Sequence, residues 1–102
     1  MAQMIAMYRT PADPAAFDRY YFGTHVPIAK RIPGLRQYEV SDGRVGTPGG
    51  VSDYHLIATL TFDSRGDIEK GLESPEGKAA AADLANFAGA GVELFFCDTK
   101  EV

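Results

Sequence analysis

Residues 54–62 read YHLIATLTF, nine residues rich in β-branched and aromatic side chains with no glycine or proline among them. Such a run is a strand. Alternation puts Tyr54, Leu56, Ala58, Leu60 and Phe62 on one face and His55, Ile57, Thr59 and Thr61 on the other. Both sets contain apolar residues. The same holds for residues 4–9 (MIAMYR), where Met4, Ala6 and Tyr8 oppose Ile5, Met7 and Arg9, and for residues 92–99 (VELFFCDT), where Val92, Leu94 and Phe96 oppose Phe95 and Cys97. A sheet wetted on one face alternates more cleanly than this, so both faces of this sheet need a cover.

Working outward, residues 35–41 (LRQYEVS) supply the fourth strand. Between the first two strands in chain order, Asp13 is a good N-cap and Pro14 a good first helical residue. Phe17, Tyr21, His25, Ile28 and Ile32 then recur at helical spacing on one face, and Pro33-Gly34 stops the helix. After residue 62, Ser64 caps a short helix through Leu72, with Asp67 at the reciprocal capping position. Ser74-Pro75 starts another helix, residues 75–88, with Ala80, Leu84, Phe87 and Ala88 on one face and Gly89 and Gly91 at its end. Residues 42–53 (DGRVGTPGGVSD) hold four glycines and a proline. They read as a flexible loop with room to serve as a lid.

The resulting order, β-α-β-β-α-β, is the ferredoxin-like split arrangement of the α+β class. It gives a four-stranded antiparallel sheet with the helices on one face. The other face is left bare, and its cheapest cover is a second copy of the same sheet, which makes the expected assembly a homodimer, a dimeric α+β barrel. With 102 residues the chain is one domain, 1–102.

Composition removes several function classes. Ten basic residues are scattered among fourteen acidic ones for a net charge of −4, so no footprint for nucleic acid is read. No apolar run approaches the ~20 residues of a membrane span. MAQMIAMYR lacks a basic segment followed by a long apolar one, so no signal peptide is read and the cytoplasm is the expected location. Cys97 is the single cysteine and cannot form an internal disulfide. Two histidines and one cysteine, far apart in sequence, offer no metal-ligand spacing, and no cofactor-binding pattern occurs in the glycine-rich loop.

The chemistry-bearing residues concentrate in residues 17–35, FDRYYFGTHVPIAKRIPGL. His25 lies on the inward helical face, where an imidazole is either a general acid/base at a pocket wall or a buried group bonded to a neighbouring carbonyl. Tyr20 and Tyr21 stand ~100° apart on a helix, so only one faces inward. Tyr21 shares the His25 face, where it packs as a core aromatic or hydrogen-bonds a ligand. Pro27 lacks the amide that would bond the Gly23 carbonyl, which predicts a kink or break between them. Arg9, Arg31 and Arg36 are cations that could hold a carboxylate, and solvated charges otherwise. Asp83 and Asn86 read as capping or packing groups, with no second acid to pair with Asp83.

Three segments carry a resemblance: Phe17-Asp18-x-Tyr20-Tyr21-x-x-x-His25-Val26-Pro27, then Ile32-Pro33-Gly34-Leu35, and later Ser74-Pro75-Glu76-Gly77 with Ala82-Asp83-Leu84-x-Asn86-Phe87. In this order they resemble the EthD family of the dimeric α+β barrel superfamily, over nearly the whole chain. The resemblance implies the fold and the homodimer. It implies a small-molecule catabolic protein acting on a hydrophobic or aromatic intermediate, either a cofactor-free oxygenase or oxidoreductase, or an isomerase, with His25 of the His-x-Pro signature as the catalytic base. The alternative is a non-catalytic binding or accessory protein of a degradation pathway. Tyr38 and His55 resemble in placement a tyrosine and a histidine of methylmuconolactone isomerase-type relatives, which with Tyr21 makes them the implied substrate-binding set. Those relatives use a cysteine where this chain has none, and haem-degrading superfamily members carry a pocket tryptophan that is also missing. His55 otherwise reads as a rim or interface histidine.

Overall fold

Strand β1 spans Ala2–Arg9, and helix α1 follows at Pro14–Tyr20. A π-helical turn at Tyr21–His25 leads into α2 at Val26–Ala29. Then come β2 (Gln37–Val40), β3 (Gly46–Thr47), β4 (Gly50–Val51), β5 (Tyr54–Phe62), α3 (Arg65–Glu73), α4 (Pro75–Asp83), a 3-10 turn (Leu84–Asn86) and β6 (Val92–Asp98). This is a computed structural model describing residues 1–102. The main sheet runs β2-β5-β1-β6, antiparallel throughout. The ferredoxin-like α+β order read from the sequence is the order observed.

The capping residues do what their chemistry predicts. The Asp13 carboxylate accepts from the Ala16 amide at 3.1 Å, and Ser64 accepts from Asp67 at 3.1 Å. Asp67 makes no return bond, so only half of a capping box forms. Ser74 ends α3 and caps α4, accepting from Gly77 at 3.0 Å. The two helices cross so tightly there that a β-carbon on Gly77 would lie 2.0 Å from the Gly71 carbonyl oxygen. No side chain fits in that space. The alanine run of α4 extends the close packing, and α4 ends at Asp83, five residues earlier than the spacing suggests, by tightening into the 3-10 turn.

Three corrections to the sequence reading concern local geometry. First, the Pro27 interruption takes the form of a slipped ladder: Val26 donates to Tyr21, one residue beyond the α pattern, while the backbone stays helical. Such π turns recur at functional sites. Second, residues 42–53 are not structureless, because β3 and β4 pair as a small hairpin, with Gly50 opening β4 at φ +137°. Third, strict alternation fails at the start of β5. Tyr8 pairs with Leu56 but Arg9 pairs with Tyr54, so His55 is an extra residue, a β-bulge. The bulge moves Tyr54 to the Arg9 face, where its hydroxyl donates to Glu93 at 3.0 Å. It turns His55 toward the helices, against Phe17 and Asp18.

The core lies between the helices and the inner sheet face formed by Ala2, Met4, Ala6, Tyr8, Leu56, Ala58, Leu60 and Phe62. At one end Tyr8, Phe17, Tyr21 and Phe87 form an aromatic cluster with centroids 5.4–5.7 Å apart. The opposite sheet face carries Ile5, Met7 and Ile57, half-buried, and Phe95, which is 53% exposed. No helix packs on it. No helix of the chain is long and apolar enough to cross a membrane.

Candidate functional site

The π turn places Tyr21 and His25 on the same buried face, ring centroids 5.4 Å apart. His25 is held from the far side of the helical layer by the end of α4. Its Nδ1 lies 2.9 Å from Asp83 Oδ2, and both side chains are only 6% exposed. The other carboxylate oxygen of Asp83 accepts from the Tyr20 hydroxyl at 2.6 Å and from the Asn86 amide at 3.0 Å. Phe87 covers the imidazole at 4.6 Å. Burial pushes the Asp83 carboxyl up, but the bonds from Tyr20, Asn86 and His25 outweigh it and hold the carboxyl below its ordinary range. An ionised Asp83 fixes Nδ1 as the donor, and in the neutral ring that leaves Nε2 with a lone pair.

Nε2 makes no hydrogen bond within the protein, and His25 borders a cavity of about 70 Å³ between helices and sheet. The rest of its wall is hydrophobic, from Met4, Ala6 and Tyr8 on β1 to Leu84 and Leu94. A buried imidazole with one nitrogen fixed and the other unbonded, beside an apolar cavity, can take up and return a proton.

The remaining sequence candidates fall into place around this pair. The Tyr21 and Tyr38 hydroxyls bond each other at 2.6 Å, and neither side chain borders the cavity. Burial is the main reason that both hydroxyls, and that of Tyr8, are shifted above the usual tyrosine value. His55 stands apart from His25. Its Nε2 lies 2.8 Å from Asp18, and the pair borders a wider, open groove of about 630 Å³ against the β3–β4 hairpin. That groove is the larger and more polar of the two, whereas the His25 cavity is walled mainly by apolar side chains. Arg9 pairs with Glu93 and Arg36 with Asp63, each at 2.8 Å, and Arg31 is exposed. No group of three or more His, Cys, Asp or Glu side chains converges as metal ligands would.

Sequence reading missed Asp83 as the partner of His25. It also missed Tyr20, which was set aside because it points away from Tyr21, and Tyr8, absorbed into the core. One signal was available: Tyr20, Asp83 and Asn86 all belong to the segments that carried the resemblance, and packing alone does not call for a tyrosine, an acid and an amide.

Fold and site together define a ferredoxin-like α+β protein with a buried His–Asp pair over an apolar cavity. The EthD domain model matches residues 9–91, and the chain belongs to the EthD family. A Rhodococcus erythropolis chain, an uncharacterised 11.0 kDa protein of the thcB-thcC intergenic region, is 38% identical over 104 residues, covering 100% of this chain and 98% of that one. An EthD family protein from Bacillus halodurans is 36% identical with a TM-score of 0.89, covering 98% and 99% of the two chains. SnoaB, a cofactor-independent oxygenase from Streptomyces nogalater, shares the fold at a TM-score of 0.69 and 15% identity, over 99% of this chain and 94% of its own. Dimeric ferredoxin-like proteins also share the fold, at 15–17% identity.

Proposed function

We propose that this protein is a homodimeric, cofactor-independent proton-transfer enzyme for a small hydrophobic molecule, with His25 as general base. The observation that carries the reading is the asymmetry of His25: Nδ1 is clamped by Asp83, and Nε2 is unbonded at an apolar cavity. Removing a proton from carbon needs a base and a place for the resulting charge. It is also the first step shared by an isomerisation and by oxygenation of a substrate carbanion, so the reading covers both reaction types that the family resemblance implies. The cofactor-independent oxygenase that shares the fold supports it. Tyr21 and Tyr38 act from behind the cavity wall in this reading, as a bonded pair that keeps the aromatic cluster in register. His55 serves the neighbouring groove.

The cavity, at about 70 Å³, is smaller than the roughly 150 Å³ that accepts benzene. The fitting substrate is compact, and one of benzene's size, whether aromatic or a cyclic ketone, requires the walls to part. The homodimer accounts for the bare sheet face bearing Phe95, and dimeric proteins of the same fold support it. The test is solvent deuterium exchange into a panel of small ketones and phenols, followed by NMR. Wild-type protein is expected to accelerate exchange for at least one compound, and His25→Gln to abolish it in a protein that remains folded. Equal exchange by the two proteins, or none across the panel, overturns the reading.

A further inference from the structure

We propose that the Tyr8 hydroxyl is the donor that recognises the ligand, holding the single oxygen of a small ketone whose adjacent C–H bond faces His25. The inference rests on the proton-transfer reading above and names the substrate class for that site. Tyr8 stands on β1, 2% exposed, and borders the same cavity as His25. Its hydroxyl lies close enough to that of Tyr21 for the two to act on each other, but Tyr21 is engaged with Tyr38 at 2.6 Å, which leaves the Tyr8 proton without a close, well-aligned acceptor. Nowhere in the chain is a fully enclosed side-chain polar atom left without a partner. An unbonded hydroxyl must therefore keep some open surface, and the open space beside Tyr8 is the cavity.

Burying a hydroxyl without a partner is destabilising, and a ligand oxygen removes that penalty. Burial also keeps Tyr8 protonated, so it donates rather than accepts. His25 and this hydroxyl are the only hydrogen-bonding side-chain groups on the cavity wall. A ligand with two or three oxygens would bury at least one unpaired, whereas a hydrocarbon would leave Tyr8 unpaired. One carbonyl satisfies both sides. In the reaction the carbon–hydrogen bond breaks as His25 Nε2 takes the proton. The electron pair moves into the carbon–carbon bond, and the charge collects on the oxygen that accepts from Tyr8. Return of a proton from His25 to the same or a neighbouring carbon completes the cycle with no change in oxidation state.

Cyclopentanone and cyclopentane, compact rings differing in one oxygen, serve as probes in an NMR binding titration, with exchange of the ketone's α-hydrogens in D₂O read in parallel. Tyr8→Phe keeps the ring that packs on Phe17, Tyr21 and Phe87. It is expected to weaken cyclopentanone by up to about tenfold, the upper range for a neutral hydrogen bond, with cyclopentane unaffected and the melting temperature equal or higher. Exchange falls while the His25 tautomer is unchanged. Unaltered cyclopentanone affinity in Tyr8→Phe, a wild-type protein that does not bind the ketone, or equal weakening of both probes with a lower melting temperature each overturn the proposal. A second variant separates it from the general-base reading: His25→Gln should lose exchange and keep the preference for ketone over hydrocarbon. A preserved ketone preference in a wild-type protein that catalyses no exchange sinks the base and leaves the Tyr8 donor standing.

Discussion

The chain has two histidines, each bonded to an aspartate at nearly the same distance, and the two pairs could hardly differ more in consequence. His25 meets Asp83 through Nδ1 at 2.9 Å with both side chains 6% exposed. His55 meets Asp18 through Nε2 at 2.8 Å, with 22% and 47% exposure. The buried carboxylate takes three hydrogen bonds, from Tyr20, Asn86 and His25. The exposed one takes a single side-chain bond and is otherwise solvated. Water levels the second pair and is excluded from the first. A His–Asp contact is therefore not itself a site; enclosure and completed bonding make it one.

The largest effect expected from that contrast is on stability. Asp83→Ala strands a buried imidazole and unbonds Tyr20 and Asn86 together, which should cost about 3 kcal/mol, the lower end for breaking a buried pair. Asp18→Ala removes a solvated partner and should cost no more than ~1 kcal/mol. Urea denaturation of the two variants measures both. Comparable losses would mean that enclosure does not distinguish the pairs.

The acid limb of stability sharpens the same point. Asp83 is held below its ordinary value, burial opposing and three hydrogen bonds prevailing. A carboxylate depressed in the folded state contributes stability that is complete above its unfolded value of ~3.9 and is lost as pH falls through the folded value. Asp63 is also lowered, chiefly by its hydrogen bond from Arg36, but that pair is open to solvent. Below pH ~4, Asp83→Asn is expected to flatten the decline at any salt concentration. Asp63→Asn should flatten it only at low salt, since screening removes exposed interactions. Thermal melts across that range, with and without added salt, decide it; an Asp83 contribution erased by salt contradicts its enclosure.

How much of this was legible in the sequence depends on the range of the interaction. The inward face of Tyr21 and His25, the serine caps and the element order all follow from spacings of a few residues, and each was readable. Pro27 announced a broken ladder, because one missing amide is a local fact. Asp83 was not readable as a partner of His25, since 58 residues and a helix crossing separate them. The side carrying His55 was hidden for a different reason. One extra residue at the bulge inverts the alternation at the start of β5, and no residue type there marks it. The unbonded Tyr8 hydroxyl was invisible because a tyrosine in an apolar strand has the pattern of core.

The smallest effect falls on the ring nitrogens and tests the chemistry most directly. At neutral pH an ionised carboxylate accepts, so the ring nitrogen facing it must carry the proton. His25 faces Asp83 with Nδ1 and His55 faces Asp18 with Nε2. Where the rings are neutral, the two histidines should therefore be opposite tautomers, distinguishable in long-range ¹H–¹⁵N spectra by which nitrogen has the shift of a bare lone pair. Asp83→Asn carries the contrast further. Its amide can still accept from Tyr20 through oxygen, but it then presents an N–H to Nδ1. That forces the His25 proton onto Nε2 and removes the lone pair from the cavity. The expected result is a tautomer switch at His25 alone, with exchange activity lost and the fold retained. A His25 that keeps its Nδ1 proton in this variant would show that Asp83 does not set the ring, and the buried pair would be a packing feature like any other.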